Sequence, residues 1–495
     1  MTTVMAGAHR SPTARSTTLP LWPGAVVALG LFLYLIAPGT ATLFPANVAA
    51  LIAFGAMLSL LPAVRPRSIS PLGWALLLFG LTMVVCPILI AFFGPALSVL
   101  PRLPDAGSMR AALAVTTLAF LCFCVAANWG LHRFRITAQP TRSAWFRTNL
   151  PRWVTTTFFV LGALGLVASF GGPGGILASL TPASAREARL EEATIVTAAG
   201  LLLRPFLAFG IVMTWCRWSD RVEGTRRHVR STLALTMLGT LAASLTFGFN
   251  RASVVYPLVA LLATYARRVR PIKAAGALGI AATIVLLVLA IGSYRASDAT
   301  LGELTGTSDP TPVPYEFDLN EQVQIYGAAP QFLGFVMTEA DRVPTGLGRT
   351  LVSGLVAPLP ILGEPFRSSA GTGLYNRWIY GPGEVRDQVI PFAGEMFLDL
   401  RLLGVVLGSI VIGVLVARLQ AAFERARSST GVFIAMYVGM WLAFPIIGSA
   451  EVVSQTFIYG MWPVYAAIGY AIVRDRGRRT WDPSRSAGFP TGGSG

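Results

Sequence analysis

Residues 72–96 read LGWALLLFGLTMVVCPILIAFFGPA, an uninterrupted stretch without a charged side chain. About 20 apolar residues in a helix cross the hydrocarbon core of a bilayer. Backbone groups there have no water to bond, so the segment must pair its own N–H and C=O groups as a helix. Working outward along the chain, runs of the same kind recur at Leu21–Ala37, Leu43–Leu61, Ala111–Leu131, Trp153–Phe170, Val196–Trp215, Thr232–Phe247, Ala252–Tyr265, Ala274–Ile291, Leu402–Ala417, Val432–Ile447 and Phe457–Val473. With Leu72–Ala96 they make about twelve expected spans, an all-α polytopic membrane protein. Composition agrees: 54% of the 495 residues are hydrophobic and 13% are charged, against about a quarter charged in soluble domains. That balance excludes a disordered chain and a soluble nucleic-acid-binding protein. Four cysteines in so long a chain exclude a disulfide framework.

The net charge of +16 is nearly all arginine, since Lys273 is the only lysine. Its placement sets the topology. Arg10 and Arg15 precede the first run; Arg65 and Arg67 follow the second; Arg133, Arg135, Arg142, Arg147 and Arg152 follow the fourth. Arg217, Arg221, Arg226, Arg227 and Arg230 follow the sixth, and Arg267, Arg268, Arg270 and Lys273 the eighth. Arg418, Arg425 and Arg427 follow the tenth, and Arg474, Arg476, Arg478 and Arg479 the last. Every even-numbered connection is basic, which predicts that these connections and both termini are cytoplasmic.

The expected organisation is then a cytoplasmic tail over 1–20, nine spans over 21–291, an external loop over 292–397, three spans over 398–473 and a disordered cytoplasmic tail over 474–495. The loop holds six arginines (295, 342, 349, 367, 377 and 386) against twelve acids. Two apolar stretches inside it, Ile325–Met337 and Leu351–Leu362, are short for a crossing and read as interfacial or re-entrant helices; a hairpin of two short spans is the alternative.

An ionisable group at membrane depth is costly and marks a candidate site. Arg204 stands inside the sixth run before Pro205; the alternative is a side chain that snorkels to the outer surface. Asn250 and Arg251 lie in a turn that must sit below the outer surface, because residues 232–265 are few for two crossings. Arg295 ends the next span on the same side. Arg186 and Arg189 follow the glycine-rich turn 171–175 and read either as site residues or as a solvated face beside Glu187, Glu191 and Glu192. Arg377, Arg386 and Arg401 complete an external set of guanidinium groups, which grip phosphate oxygens in a bidentate fork. Glu395 and Asp399 stand four apart at the mouth of the tenth run; a polar collar at a helix N-terminus is the plainer reading.

With His9, His132 and His228 all expected on the cytoplasmic side, no external histidine can serve as base or ligand, and no Cys/His metal site is legible. The base is then a carboxylate, a tyrosine or the substrate itself; Glu395 is the first candidate and Asp387, beside Arg386, the runner-up. No cofactor is expected.

Three stretches resemble the bacterial Wzy-type polymerases of oligosaccharide repeat units (O-antigen or exopolysaccharide polymerases). They are Phe247-Gly248-Phe249-Asn250-Arg251 with its following helix, Gly394-Glu395 leading into Leu402-Leu403-Gly404, and the Gly-Gly turn with Arg186 and Arg189 downstream. The chain departs from the family at Phe249-Asn250, where Gly-Ser is more usual. The resemblance implies a GT-C-like, metal-independent glycosyltransferase at the external face of the bacterial cytoplasmic membrane. Its substrate would be a polyprenyl-diphosphate-linked oligosaccharide, its surroundings membrane lipids, and its partners a glycan flippase and a chain-length regulator, with no nucleic acid. A glycan ligase of the O-antigen ligase type and a lipid or oligosaccharide transporter are the alternative readings.

Overall fold

The computed structural model describes residues 21–37, 44–61, 63–64, 69–96, 104–136, 150–170, 195–221, 226–245, 251–272, 329–340, 344–359, 362–381 and 390–480, with isolated positions between 276 and 342. Among them all regular structure is helical. The helices are α1 (Leu21–Ile36), α2 (Phe44–Leu60), α3 (Pro71–Phe93), α4 (Ala106–Ile136), α5 (Arg152–Phe170), α6 (Ile195–Leu203), α7 (Pro205–Ser219), α8 (Arg226–Leu245) and α9 (Arg251–Arg268). They continue as α10 (Ala329–Ala340), α11 (Arg349–Val356), α12 (Glu364–Arg367), α13 (Gly371–Tyr380), α14 (Phe392–Arg425), α15 (Ser429–Ala443), α16 (Ala450–Gln455) and α17 (Trp462–Thr480).

Six stretches are long and apolar enough to cross a membrane: α3, α4, α5, Ala199–Ser219, α14 and α15. A seventh is counted if Ala450–Gly460 and Trp462–Asp475, bent by 58°, form one span. The outward faces of α1, α5 and α14 carry exposed apolar residues such as Leu35, Leu164 and Leu403, a pattern that suits a membrane-embedded helix. Eleven of the twelve apolar runs coincide with described helices, yet fewer pass as spans, for local reasons. The helices α1 and α2 have 16 and 17 residues. Each of α8 and α9 includes three arginines near its ends, which shorten the apolar stretch between them. Most of Ala274–Ile291 lies outside the described residues.

The largest interface joins α4 to α14. Small residues set its closeness: a Cβ on Gly413 would stand 2.7 Å from the Phe123 carbonyl, and one on Gly130 would stand 3.0 Å from Ala417 Cβ. Lipid tails give no hydrophobic drive between helices, so such close backbone approach supplies the packing. Glycines 162 and 165 on α5 do the same against Leu207 and the Leu203–Arg204 backbone. The innermost span, α15, and the turn after it place Trp441 and Phe444 on Tyr256 of α9, ring to ring.

Three helices are interrupted. In α3, Pro87 has no N–H to offer, and the chain passes through a π-turn at Leu81–Val85, where the Cys86 N–H reaches the Leu81 carbonyl. In α14, Leu400 and Arg401 leave helical geometry (φ −137° and +55°), separating a mouth turn over 392–399 from the long span over 402–425. The third break is the bend between Ala450–Gly460 and α17.

The two ends of the bundle differ. At one, Arg135 bonds Glu424 at 2.6 Å, Arg267 donates to the Glu424 carbonyl, and Arg268 pairs with Asp220. Asp220 also accepts from the N–H and hydroxyl of Ser429, capping α15. This basic end gathers the C-termini of α4, α7, α9 and α14. The opposite end carries the mouth turn of α14, α11 and α16. Because α9 finishes at the basic end, its first residue, Arg251, lies towards the mouth end.

The stretch Ile325–Met337, expected as an interfacial or re-entrant helix, is covered by protein over its described helical part. In α10, Phe332, Leu333 and Val336 are fully buried, and the helix packs on α4 and α14. An interfacial helix would leave one face open. Among its described residues, the stretch Leu351–Leu362 is α-helical as far as Val356.

Candidate active site at the mouth of the bundle

Two carboxylates on successive turns of α14 organise the mouth. Proline 391 in extended geometry starts the helix at Phe392, so Glu395 and Asp399 fall on one face, and both side chains are fully buried. Asp399 Oδ1 accepts from Thr350 N at 2.9 Å and Oδ2 from Leu351 N at 2.8 Å. It thereby satisfies two of the N–H groups that open α11, where negative charge is favoured by the helix dipole. Returning bonds run from Gly346 N to the Leu398 carbonyl and from Leu347 N to the Asp399 carbonyl.

Glu395 holds the next helix in the same way. Its Oε2 accepts from Ala450 N at 2.8 Å, at the start of α16. Its Oε1 has no hydrogen-bond partner among the described residues. Gly371 and Gly354 close over it: a Cβ on Gly371 would stand 2.6 Å from Glu395 Cγ and 2.8 Å from Oε1, so only glycine fits there. Ser454 Oγ donates to the Leu355 carbonyl at 2.6 Å and Tyr459 OH to the Pro358 carbonyl at 2.7 Å, fastening the α16 segment to α11.

A third acid, Glu451, stands beside this pair. It is half-buried and directly follows Ala450, whose N–H donates to Glu395; a Cβ on Gly354 would stand 3.5 Å from both Glu395 Oε1 and Glu451 N. The exposed Arg367 at the end of α12 is within electrostatic reach of both Glu451 and Tyr459. The buried Thr372 hydroxyl points towards Glu451 without meeting hydrogen-bond geometry. The mouth therefore holds an enclosed carboxylate, a more open one and an exposed guanidinium, roofed by α11, α12 and α13.

No family model, curated protein or solved structure matches the chain.

The other expected site residues divide. Arg401 donates from Nη2 to the Ala340 carbonyl at 2.7 Å and rests over the Phe397 ring, tying the α14 break to α10. Its positive φ is a strained geometry for a non-glycine residue, costing about 1–3 kcal/mol. Arg204 does not snorkel: it is buried at the α6–α7 junction, its guanidinium over the Phe170 ring at 5.0 Å. That junction approaches the mouth, since α6 packs against Thr456–Gly460. Arg377 is exposed on α13. Arg186, Arg189, Asn250, Arg295, Arg386 and Asp387 lie outside the described residues, as does the side chain of Arg251.

Sequence reasoning missed Glu451, Arg367 and Thr372 as site residues. A signal existed for the first: Glu451 is the only acid between Glu424 and Asp475, and a lone charge in an apolar stretch marks a candidate site.

Proposed function

We propose that the chain is a membrane glycosyltransferase of about twelve spans and GT-C-like build. It joins polyprenyl-diphosphate-linked oligosaccharides at the external face of a bacterial cytoplasmic membrane, with both termini in the cytoplasm. The observation that carries this reading is the carboxylate–guanidinium mouth, in which Glu451 directly follows Ala450, the residue whose N–H Glu395 holds, and the exposed Arg367 is within electrostatic reach of Glu451. The acceptor sugar hydroxyl attacks the anomeric carbon of the donor as its bond to the diphosphate breaks. A carboxylate takes the hydroxyl proton, and fixed cations stabilise the charge that grows on the leaving diphosphate.

Glu451 is our choice for the base. Glu395, which the sequence favoured, has one oxygen committed to Ala450 and the other closed over by Gly371; it holds α16, and hence Glu451, in place. Arg251, which begins α9 towards the mouth end, and Arg367 are the diphosphate ligands. In cells lacking the chain, re-supplied wild type restores a ladder of long glycan. Arg251→Ala gives no ladder, and Arg251→Lys recovers little of it, because a point charge does not reproduce the bidentate fork. Long polymer from correctly inserted Arg251→Ala protein overturns the phosphate role.

A second reading has one specific observation behind it. Interrupted helices such as α3, α14 and the bent α16–α17 pair also serve transporters. A transporter leaves its substrate chemically unchanged, which separates the two.

A further inference from the structure

The helix that Asp399 clamps is turned inside out compared with one in water. Facing the protein, α11 buries Thr350, Ser353 and Gly354. Facing away, it presents Arg349, Val352 and Leu355, three positions one turn apart on a single stripe. Val352 is 51% and Leu355 45% exposed, and the flanking Leu347, Leu362 and Phe366 are 80%, 67% and 37% exposed. A water-facing amphipathic helix shows the reverse pattern. The rotation is fixed: Asp399 holds Thr350 N and Leu351 N, Ser454 holds the Leu355 carbonyl, and the hydroxyls of Ser353 and Ser369 stand 3.0 Å apart. The apolar stripe cannot roll inward without breaking these bonds.

We propose that the described residues of 347–359 and 362–366 lie edgewise in the lipid leaflet at the mouth end, with acyl chains covering Leu347, Val352, Leu355, Leu362 and Phe366. Two observations select lipid as the occupant. The first is continuity. Leu347 N bonds the Asp399 carbonyl, immediately before the outward Leu400, Leu402 and Leu403, so the apolar exterior of α14 meets that of α11 at this joint. The second is charge. The exposed Arg349 stands on the same stripe at the start of α11, where a cation reaches lipid phosphates while its stem lies along apolar surface. Exposed apolar side chains grouped in this way mark an interaction face. Lipid insertion sets the Glu395–Glu451 mouth at headgroup level, open to groups carried on a lipid. The inference stands whether or not the mouth transfers sugar.

The test uses the full chain in liposomes of phosphatidylethanolamine and phosphatidylglycerol, with Cys122→Ser to limit background. Nitroxide labels are placed at Val352→Cys, Leu355→Cys and Leu362→Cys, with Glu364→Cys as a headgroup-level reference. All four sites are on the surface, so labelling removes no core packing. Collisions with oxygen, which partitions into lipid, should exceed those with an aqueous nickel chelate at 352, 355 and 362, with the balance reversed at 364. Free access of nickel to 355 and 362 would show a water-facing patch and overturn the proposal. Exclusion of both reagents there would show cover by protein, a second copy or another chain, and would overturn it equally.

Discussion

Purified Glu451→Gln protein is expected to bind a lipid-linked oligosaccharide normally and to transfer it at least about a hundredfold more slowly, since general base catalysis is typically worth 10²–10⁴ in rate. The amide keeps the shape of the side chain and removes the basic group. Glu395→Gln makes the comparison informative. Its amide oxygen can still accept from Ala450 N, and its NH2 group occupies the place of Oε1, which has no hydrogen-bond partner. If Glu395 only holds α16, Glu395→Gln should keep most of the turnover. The opposite pattern, a nearly inactive Glu395→Gln beside a nearly normal Glu451→Gln, would return the base to the Gly394-Glu395 motif and reject the present assignment. Substrate binding and single-turnover rates, measured separately, distinguish a lost base from a lost ligand.

Asp399→Ala is expected to release α11 from the mouth. The change leaves two buried N–H groups, those of Thr350 and Leu351, without the charged acceptor they now share. Charge-assisted bonds contribute roughly 1.5–3 kcal/mol each, so the local loss is about 3 kcal/mol or more. That is about a hundredfold in the local opening equilibrium, and hydrogen exchange at Thr350 and Leu351 should accelerate by at least that factor while α4 and α15 remain protected. Asp399→Asn, with one acceptor oxygen and a donor where the second stood, should fall between. Unchanged exchange in Asp399→Ala would mean that α11 is held by its packing alone. Transfer should fall with the opening, because Gly354 of α11 forms part of the enclosure of Glu395.

These results would test parts of the molecule that differ in how far they could be read in advance. Helix positions were legible because apolar length decides them: Trp153–Phe170 became α5 almost residue for residue. The common face of Glu395 and Asp399 was legible too, since a separation of four is local geometry. The clamps were not. Asp399 meets Thr350 across 49 positions, and Glu395 meets Ala450 across 55, so no local pattern could pair them. The break at Leu400–Arg401 gave no warning, because neither residue is a proline or a glycine; it is held by the reach of Arg401 to Ala340. The burial of α10 was hidden for a related reason. An apolar dodecamer reads the same whether lipid or protein surrounds it, and only the packing of α4 and α14 around it decides.

Formation of glycosidic bonds by the chain alone is the decisive property. Purified wild-type protein in liposomes, supplied with one defined polyprenyl-diphosphate oligosaccharide, should yield products lengthened by whole repeat units and release one polyprenyl diphosphate for each bond formed. The ladder should persist in the presence of a chelator, as a metal-independent mechanism requires. Substrate recovered at its original mass from folded, correctly oriented protein, whether or not it had crossed the bilayer, would contradict the account.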